Sequence, residues 1–160
     1  MVLGSYEIAN SSVLYAFGQF IDIMTAIKKI EDLEIWVVSR QLVQDIYLAT
    51  ACEPAKRDFV YCDQVRRASI SIMSNVAEGF GRFSDKEFAR FLDIAKGSAL
   101  EVQSLLHMGR DIGYLEASRS ASLIETSDRL AAQITALCRY LRQSDPKRPR
   151  PKTQDPGPRT

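Results

Sequence analysis

The side chains that could do chemistry cluster in one stretch, Gln64 to Gly79, where Arg66, Arg67, Ser69, Ser71, Ser74, Asn75 and Glu78 interrupt an apolar helical pattern. Glu78 and the more distant Glu101 raise the idea of paired carboxylates, either for general acid-base work or for a metal. Such chemistry needs converging ligands, and a dinuclear carboxylate bundle carries repeated Glu-x-x-His pairs, which this sequence lacks. The only histidine, His107, stands between Leu106 and Met108 and reads as a solvent-facing or boundary residue rather than a ligand. Ser69, Ser71 and Ser74 have no histidine near them in sequence, and helical serines commonly bond to backbone carbonyls instead of acting as nucleophiles. Gly79-Phe80-Gly81 is too short for a phosphate loop and follows no strand. The expectation is a non-enzyme with no catalytic residue, no metal and no cofactor.

The polar set Arg66, Arg67, Asn75, Glu78, Arg82 and Glu101 has three readings. In the first it is structural: Gln64, Arg67, Asn75, Glu78 and Glu101 form a buried or interfacial network that fixes helix register or subunit orientation. In the second, Arg66, Arg67, Arg82, Lys86 and Arg90 contact nucleic-acid phosphates in a sequence-tolerant way, joined by Lys147, Arg148 and Arg150 further along. The third is a small anion held between subunits. Trp36, Phe88 and Phe91 lie on apolar helical stripes and read as core rather than as base-stacking platforms.

Four helical segments position these groups, and no strand-period segment competes. The first is expected from about Glu31 to Thr50, with Leu33, Trp36, Val37, Val43, Ile46 and Tyr47 as its apolar face and Pro54 as its stop. The second runs from about Tyr61 to Glu78, with Gly79 and Gly81 suited to the left-handed conformation that ends a helix. On it Gln64, Ala68, Ser71, Asn75, Glu78 and Arg82 share a polar stripe beside an apolar one of Val65, Ile72, Val76 and Gly79. Ser84-Asp85-Lys86-Glu87 reads as a capping box opening the third helix. There Phe88, Phe91, Ala95, Ser98, Val102, Leu105 and Ile112 recur at heptad-like spacing, and small Ala95, Gly97 and Ser98 admit a close neighbour. Gly113 breaks that helix, Tyr114 and Leu115 cover the turn, and the fourth helix carries Leu123, Ile124, Leu130, Ile134, Leu137 and Leu141 from about Ala117 to Arg142. Short loops make successive helices antiparallel neighbours. The fold class is therefore all-α, an antiparallel up-and-down four-helix bundle over residues 24–143.

Residues 1–23 read as an additional amphipathic helix or an upstream extension that is dispensable, with a start-like segment at Met24. The apolar run there is interrupted by Ser11, Ser12, Gly18, Gln19 and Asp22, which fits neither a signal peptide nor a membrane span. Residues 144–160 are Pro-rich and expected to be disordered, their Lys147, Arg148, Arg150 and Lys152 serving as a solubilising end or an electrostatic tether. With 21 Lys+Arg against 20 Asp+Glu there is no global basic field, so any nucleic-acid role needs a local patch. Cys52, Cys62 and Cys138 have no metal spacing and suit free thiols in a reducing, cytoplasmic setting.

Several linked motifs carry a family resemblance: Leu33-Glu34-Ile35-Trp36, Gln64 through Ile72, Ser74 through Gly79, Arg82-Phe83-Ser84, Phe91 through Ser98, Glu101, and Gly113-Tyr114-Leu115. Together, over about residues 24–143, they resemble the bacterial four-helix bundle family associated with intervening sequences in 23S ribosomal RNA genes. They are also similar to the accessory proteins of diversity-generating retroelements, which bind nucleic acid and reverse transcriptase. The resemblance implies a homopentameric barrel, with the chain itself, RNA, DNA or a nucleoprotein as partner and no membrane. A protein-protein or structural assembly role without nucleic acid is the competing expectation.

Overall fold

The computed structural model describes residues 27–82 and 84–143. The expectations for residues 1–23, for the start at Met24 and for the 144–160 tail, including Lys147, Arg148 and Arg150, lie outside the described residues. Four helices follow in chain order: α1 Glu34–Ala49, α2 Phe59–Phe80, α3 Asp85–Asp111 and α4 Ala117–Gln143. No strand occurs among the described residues.

Long-range polar contacts fix the topology. Ser71 on α2 meets Ser98 on α3 at 2.8 Å, while Gly79 faces Phe88 and Tyr61 faces Gly109, an antiparallel order. Ser127 on α4 donates to the Ala99 carbonyl at 3.2 Å, and Cys138 approaches the Ala89 carbonyl. Gln133 to Glu34 at 2.9 Å and Arg119 to the Asp45 carbonyl at 3.3 Å close α4 against α1. Each helix thus packs beside its sequence neighbours and the ring is completed by α1 and α4. Leu42, Ile46, Val65, Ile72, Val76, Leu92, Val102, Leu130 and Ile134 fill the interior with no solvent exposure. At about 1.5–3 kcal/mol for each large aliphatic side chain, this burial is the main force holding the helices together.

Several boundaries and faces differ from expectation, for identifiable reasons. Asp32 accepts from the Lys28 and Lys29 backbone amides at 3.2 and 3.0 Å, which winds Ile30–Asp32 into a 3₁₀ turn and delays α1 to Glu34. The helix ends at Ala49, five residues ahead of Pro54, where the Thr50 hydroxyl donates to the Ile46 carbonyl at 2.7 Å and caps it. The buried face of α1 is Ile35, Ser39, Leu42 and Ile46; Trp36 and Val43 are half-buried, and Val37 and Tyr47 are 47% and 43% exposed. Apolar residues surround most of α1, so periodicity alone could not choose the stripe. Ser39, its hydroxyl bonded to the Trp36 carbonyl at 2.7 Å, is fully buried on that face.

Asp58 caps α2 by accepting from the Tyr61 amide at 2.9 Å. Gly79 is helical and buried, not left-handed: a Cβ there would lie 2.5 Å from Phe88 and 2.9 Å from Phe91. Gly81 has φ −73°, so it too is outside the left-handed region. Only Gly113, at φ +77°, has a positive φ among the described residues. Ser84 caps α3 by accepting from the Glu87 amide at 3.1 Å. Along α3, Phe88, Ala95, Ser98 and Val102 are buried with Ala89, Leu92, Ala99, Leu106 and Gly109. Ile112 is 52% exposed, and Gly97 has nothing within 4 Å of a Cβ.

Candidate functional site

The arginines singled out in the sequence are dispersed. Arg66 turns toward α1, where Nε donates to Thr50 Oγ1 at 2.8 Å and a terminal nitrogen donates to the Thr50 carbonyl at 3.1 Å. Its guanidinium also stacks 4.8 Å from the Tyr47 ring, so this side chain clamps the end of α1. Arg67 is exposed and pairs with Asp63 at 3.4 Å. Arg82 turns toward α3, pairing with Glu78 and lying 4.8 Å over the Phe91 ring. Lys86 and Arg90 are exposed in the first two turns of α3.

Within the chain, the expected network of Gln64, Arg67, Asn75, Glu78 and Glu101 does not converge. Helical spacing supplies each charge with a nearer partner one turn away, Asp63 for Arg67 and Arg82 for Glu78. Gln64 and Glu101 are exposed. The polar contact that does join α2 to α3 is Asn75–Ser71–Ser98: the Asn75 amide donates to the Ser71 carbonyl at 2.8 Å and to its hydroxyl at 3.2 Å, and Ser71 meets Ser98. Ser71 and Asn75 on the polar stripe of α2 and the small Ser98 among the apolar positions of α3 were the signal for it.

Sequence reasoning missed a second cluster because its members are more than forty residues apart. Asp93 and Lys96 on α3 and Cys138, Arg139 and Arg142 on α4 line a cleft of 340 Å³ floored by Leu92 and Ile134. Asp93 pairs with Arg142 and accepts from the Cys138 thiol at 3.4 Å. Burial, reinforced by that carboxylate, pushes the Cys138 thiol up, so it stays a protonated donor and a poor nucleophile.

At the opposite end, Asp58 accepts from the Tyr61 amide and from the Tyr114 hydroxyl at 3.0 Å, and these bonds hold its carboxyl below the usual range. Tyr61 and Tyr114 meet edge-on at 5.3 Å. Burial pushes the Tyr61 phenol up to about 12, and its hydroxyl has no hydrogen-bond partner among the described residues. The group seals the helix ends. No cluster of three potential metal ligands occurs among the described residues, and none of their helices is long and apolar enough to cross a membrane.

The outer side of the α2–α3 pair is different in kind. Phe91, Ile94, Ser98, Glu101, Leu105, Met108 and the cap residue Ile112 alternate spacings of three and four along α3, and all but the buried Ser98 lie beside the core stripe rather than within it. Ile94, Met108 and Ile112 are 46%, 43% and 52% exposed, and Phe91 and Leu105 are half-buried. The adjoining part of α2 presents Val60, Gln64 and Arg67, all exposed.

Residues 31–136 match the model of one protein family, described as 23S rRNA-intervening sequence protein. The chain belongs to that family. Among solved structures, a protein of unknown function from the S23 ribosomal protein family of Bacteroides thetaiotaomicron is similar, with a TM-score of 0.60 and 21% identity. The match covers 65% of this chain and 97% of that one, and it supports the fold alone. No curated protein matches. The region shared with the intervening sequence family contains the whole α3 stripe and the Ser71–Ser98 contact. It stops ahead of Cys138, Arg139 and Arg142, so the α4 side of the cleft lies largely outside it.

Proposed function

We propose that this chain is a non-enzymatic, self-assembling helical scaffold that carries nucleic acid or a nucleoprotein. The observation that supports assembly most strongly is the uncovered α3 stripe. Apolar residues at alternating three- and four-residue spacing are what a facing helix packs into, and leaving Ile94, Met108 and Ile112 in water forgoes that burial. A second copy is the occupant this face suits. Arg67 on α2 and Glu101 on α3 put both signs of charge on one side, so copies can meet with opposite charges opposed. The family resemblance makes a homopentamer the expected closure, and free cysteines are compatible with a cytoplasmic setting.

Nucleic acid is the favoured cargo because assembly would multiply weak cationic patches, and residues 144–160 hold five basic residues against two acidic. Sedimentation equilibrium of the full chain with and without single-stranded RNA tests both halves. The proposal expects an oligomer alone and an oligomer–RNA complex that dissociates as salt rises. An oligomer that ignores RNA at low salt transfers the reading to a protein partner; a monomer overturns the scaffold.

A further inference from the structure

We propose that the α3–α4 cleft is the scaffold's contact with the phosphodiester backbone of single-stranded nucleic acid, an assignment that rests on the nucleic-acid reading above. The arginines of α2 are committed elsewhere: Arg66 to Thr50 and Tyr47, Arg67 to Asp63, Arg82 to Glu78 and Phe91. In the cleft the balance is different. Lys96, Arg139 and Arg142 face one carboxylate, Asp93, and only Arg142 pairs with it, leaving Lys96 and Arg139 without an ion pair among the described residues. Two cations beside a compensated third make the site locally positive in a chain whose net charge is +1.

The shape suits the charge. The cleft's 340 Å³ lies at the lower end of the roughly 300–1,000 Å³ typical of ligand clefts, and its basic side chains stand over the fully buried Leu92 and Ile134. A phosphate at the rim can be held by Lys96 and Arg139. Arg142 is the guanidinium already oriented, since Asp93 fixes it, and that carboxylate also accepts a hydrogen bond from the Cys138 thiol. Asp93 is therefore the positioning residue that keeps the arginine aligned and limits the site's affinity for a lone anion.

The cleft also has a direction along which a strand can continue. Lys86 and Arg90 lie at the same end of the bundle, in the opening turns of α3. The chain leaves α4 at Gln143, itself part of the cleft lining, and Lys147, Arg148 and Arg150 follow within seven residues. Among the described residues, basic groups thus run from the start of α3 into the cleft. Such a series reads backbone charge without reading base identity.

The test measures fluorescence anisotropy of labelled single-stranded RNA, and of DNA of the same sequence, across a salt series with the full chain. The variant Lys96→Gln/Arg139→Gln is compared with Lys56→Gln/Arg57→Gln, which removes the same charge from exposed residues at the other end of the bundle. The cleft variant is expected to bind at least about tenfold more weakly and to lower the slope of log affinity against log salt by about 1.4, at about 0.7 for each single-strand phosphate contact. The control variant keeps the wild-type slope. Equal losses in both variants, or none in the cleft variant while wild type binds, overturn the cleft and leave the nucleic-acid reading standing. Absence of wild-type binding at low salt removes both. Circular dichroism melting confirms that each variant is folded.

Discussion

Gly97 and Gly109 stand on the same helix, twelve residues apart, and the same substitution to alanine should act on them with opposite signs. At Gly97 a Cβ meets nothing within 4 Å, so the change keeps only the helix-propensity gain of about 1 kcal/mol. At Gly109 the new Cβ falls 2.0 Å from the Tyr61 hydroxyl oxygen, 2.7 Å from the ring carbon bearing it and 3.3 Å from Leu115. Tyr61 is 2% exposed and its ring is held edge-on against Tyr114, so it has no free direction in which to yield. Overpacking of this kind costs about 1–3 kcal/mol, which offsets the propensity gain of about 1 kcal/mol and leaves Gly109→Ala destabilised by up to about 2 kcal/mol. The two variants should differ by about 1–3 kcal/mol in urea unfolding followed by circular dichroism at one protein concentration. Adding Tyr61→Phe should recover part of the Gly109→Ala loss, because it removes the nearest atom and a buried hydroxyl without a partner. Gly109→Ala as stable as Gly97→Ala would refute the packing of α2 on α3 described above.

Arg66→Ala should cost about 1.5–3 kcal/mol through its two lost hydrogen bonds to Thr50, whereas Arg67→Ala should change stability by less than about 1 kcal/mol; equal effects in thermal melts would contradict the separate roles. Because folding lowers the Asp58 pKa, its contribution is present above the unfolded value of 3.8 and is lost as pH falls through the folded value. Folding raises the Tyr61 pKa from 10.0 to about 12, so its contribution is present below 10.0 and lost as pH rises through about 12. Melting temperature should therefore fall at both extremes, and Asp58→Asn should flatten the acid limb; an unchanged limb would count against the cap. A thiol-reactive chromophore should modify Cys52 at once and Cys62 and Cys138 only on unfolding, since burial covers both and pushes their thiols up.

The helices were legible where the pattern had one interpretation. Alternating clusters of large apolar residues placed α3 and α4, and Gly113 marked the turn between them through its positive φ. Alpha1 was harder, since apolar residues on most of its circumference made the Trp36–Tyr47 side as plausible as the Ile35–Ile46 side that is buried. Gly79 was misread because glycine serves equally as a helix terminator and as the small residue at a close helix crossing; only the position of Phe88 distinguishes them. Arg66 looked available because its partners, Tyr47 and Thr50, belong to another helix. The α3–α4 cleft could not be read at all before Asp93 was placed beside Cys138 and Arg142, contacts made by the antiparallel register rather than by local spacing.

Native mass spectrometry of the full chain and of Ile94→Lys/Met108→Lys tests the scaffold most directly. Both substitutions put charge on exposed positions of the α3 stripe, so the 18.0 kDa chain should keep its fold. Wild type is expected as an oligomer, closing at five copies if the resemblance extends to assembly, and the variant as a folded monomer. A wild-type monomer, or a variant that retains the wild-type mass, would contradict assembly through this face.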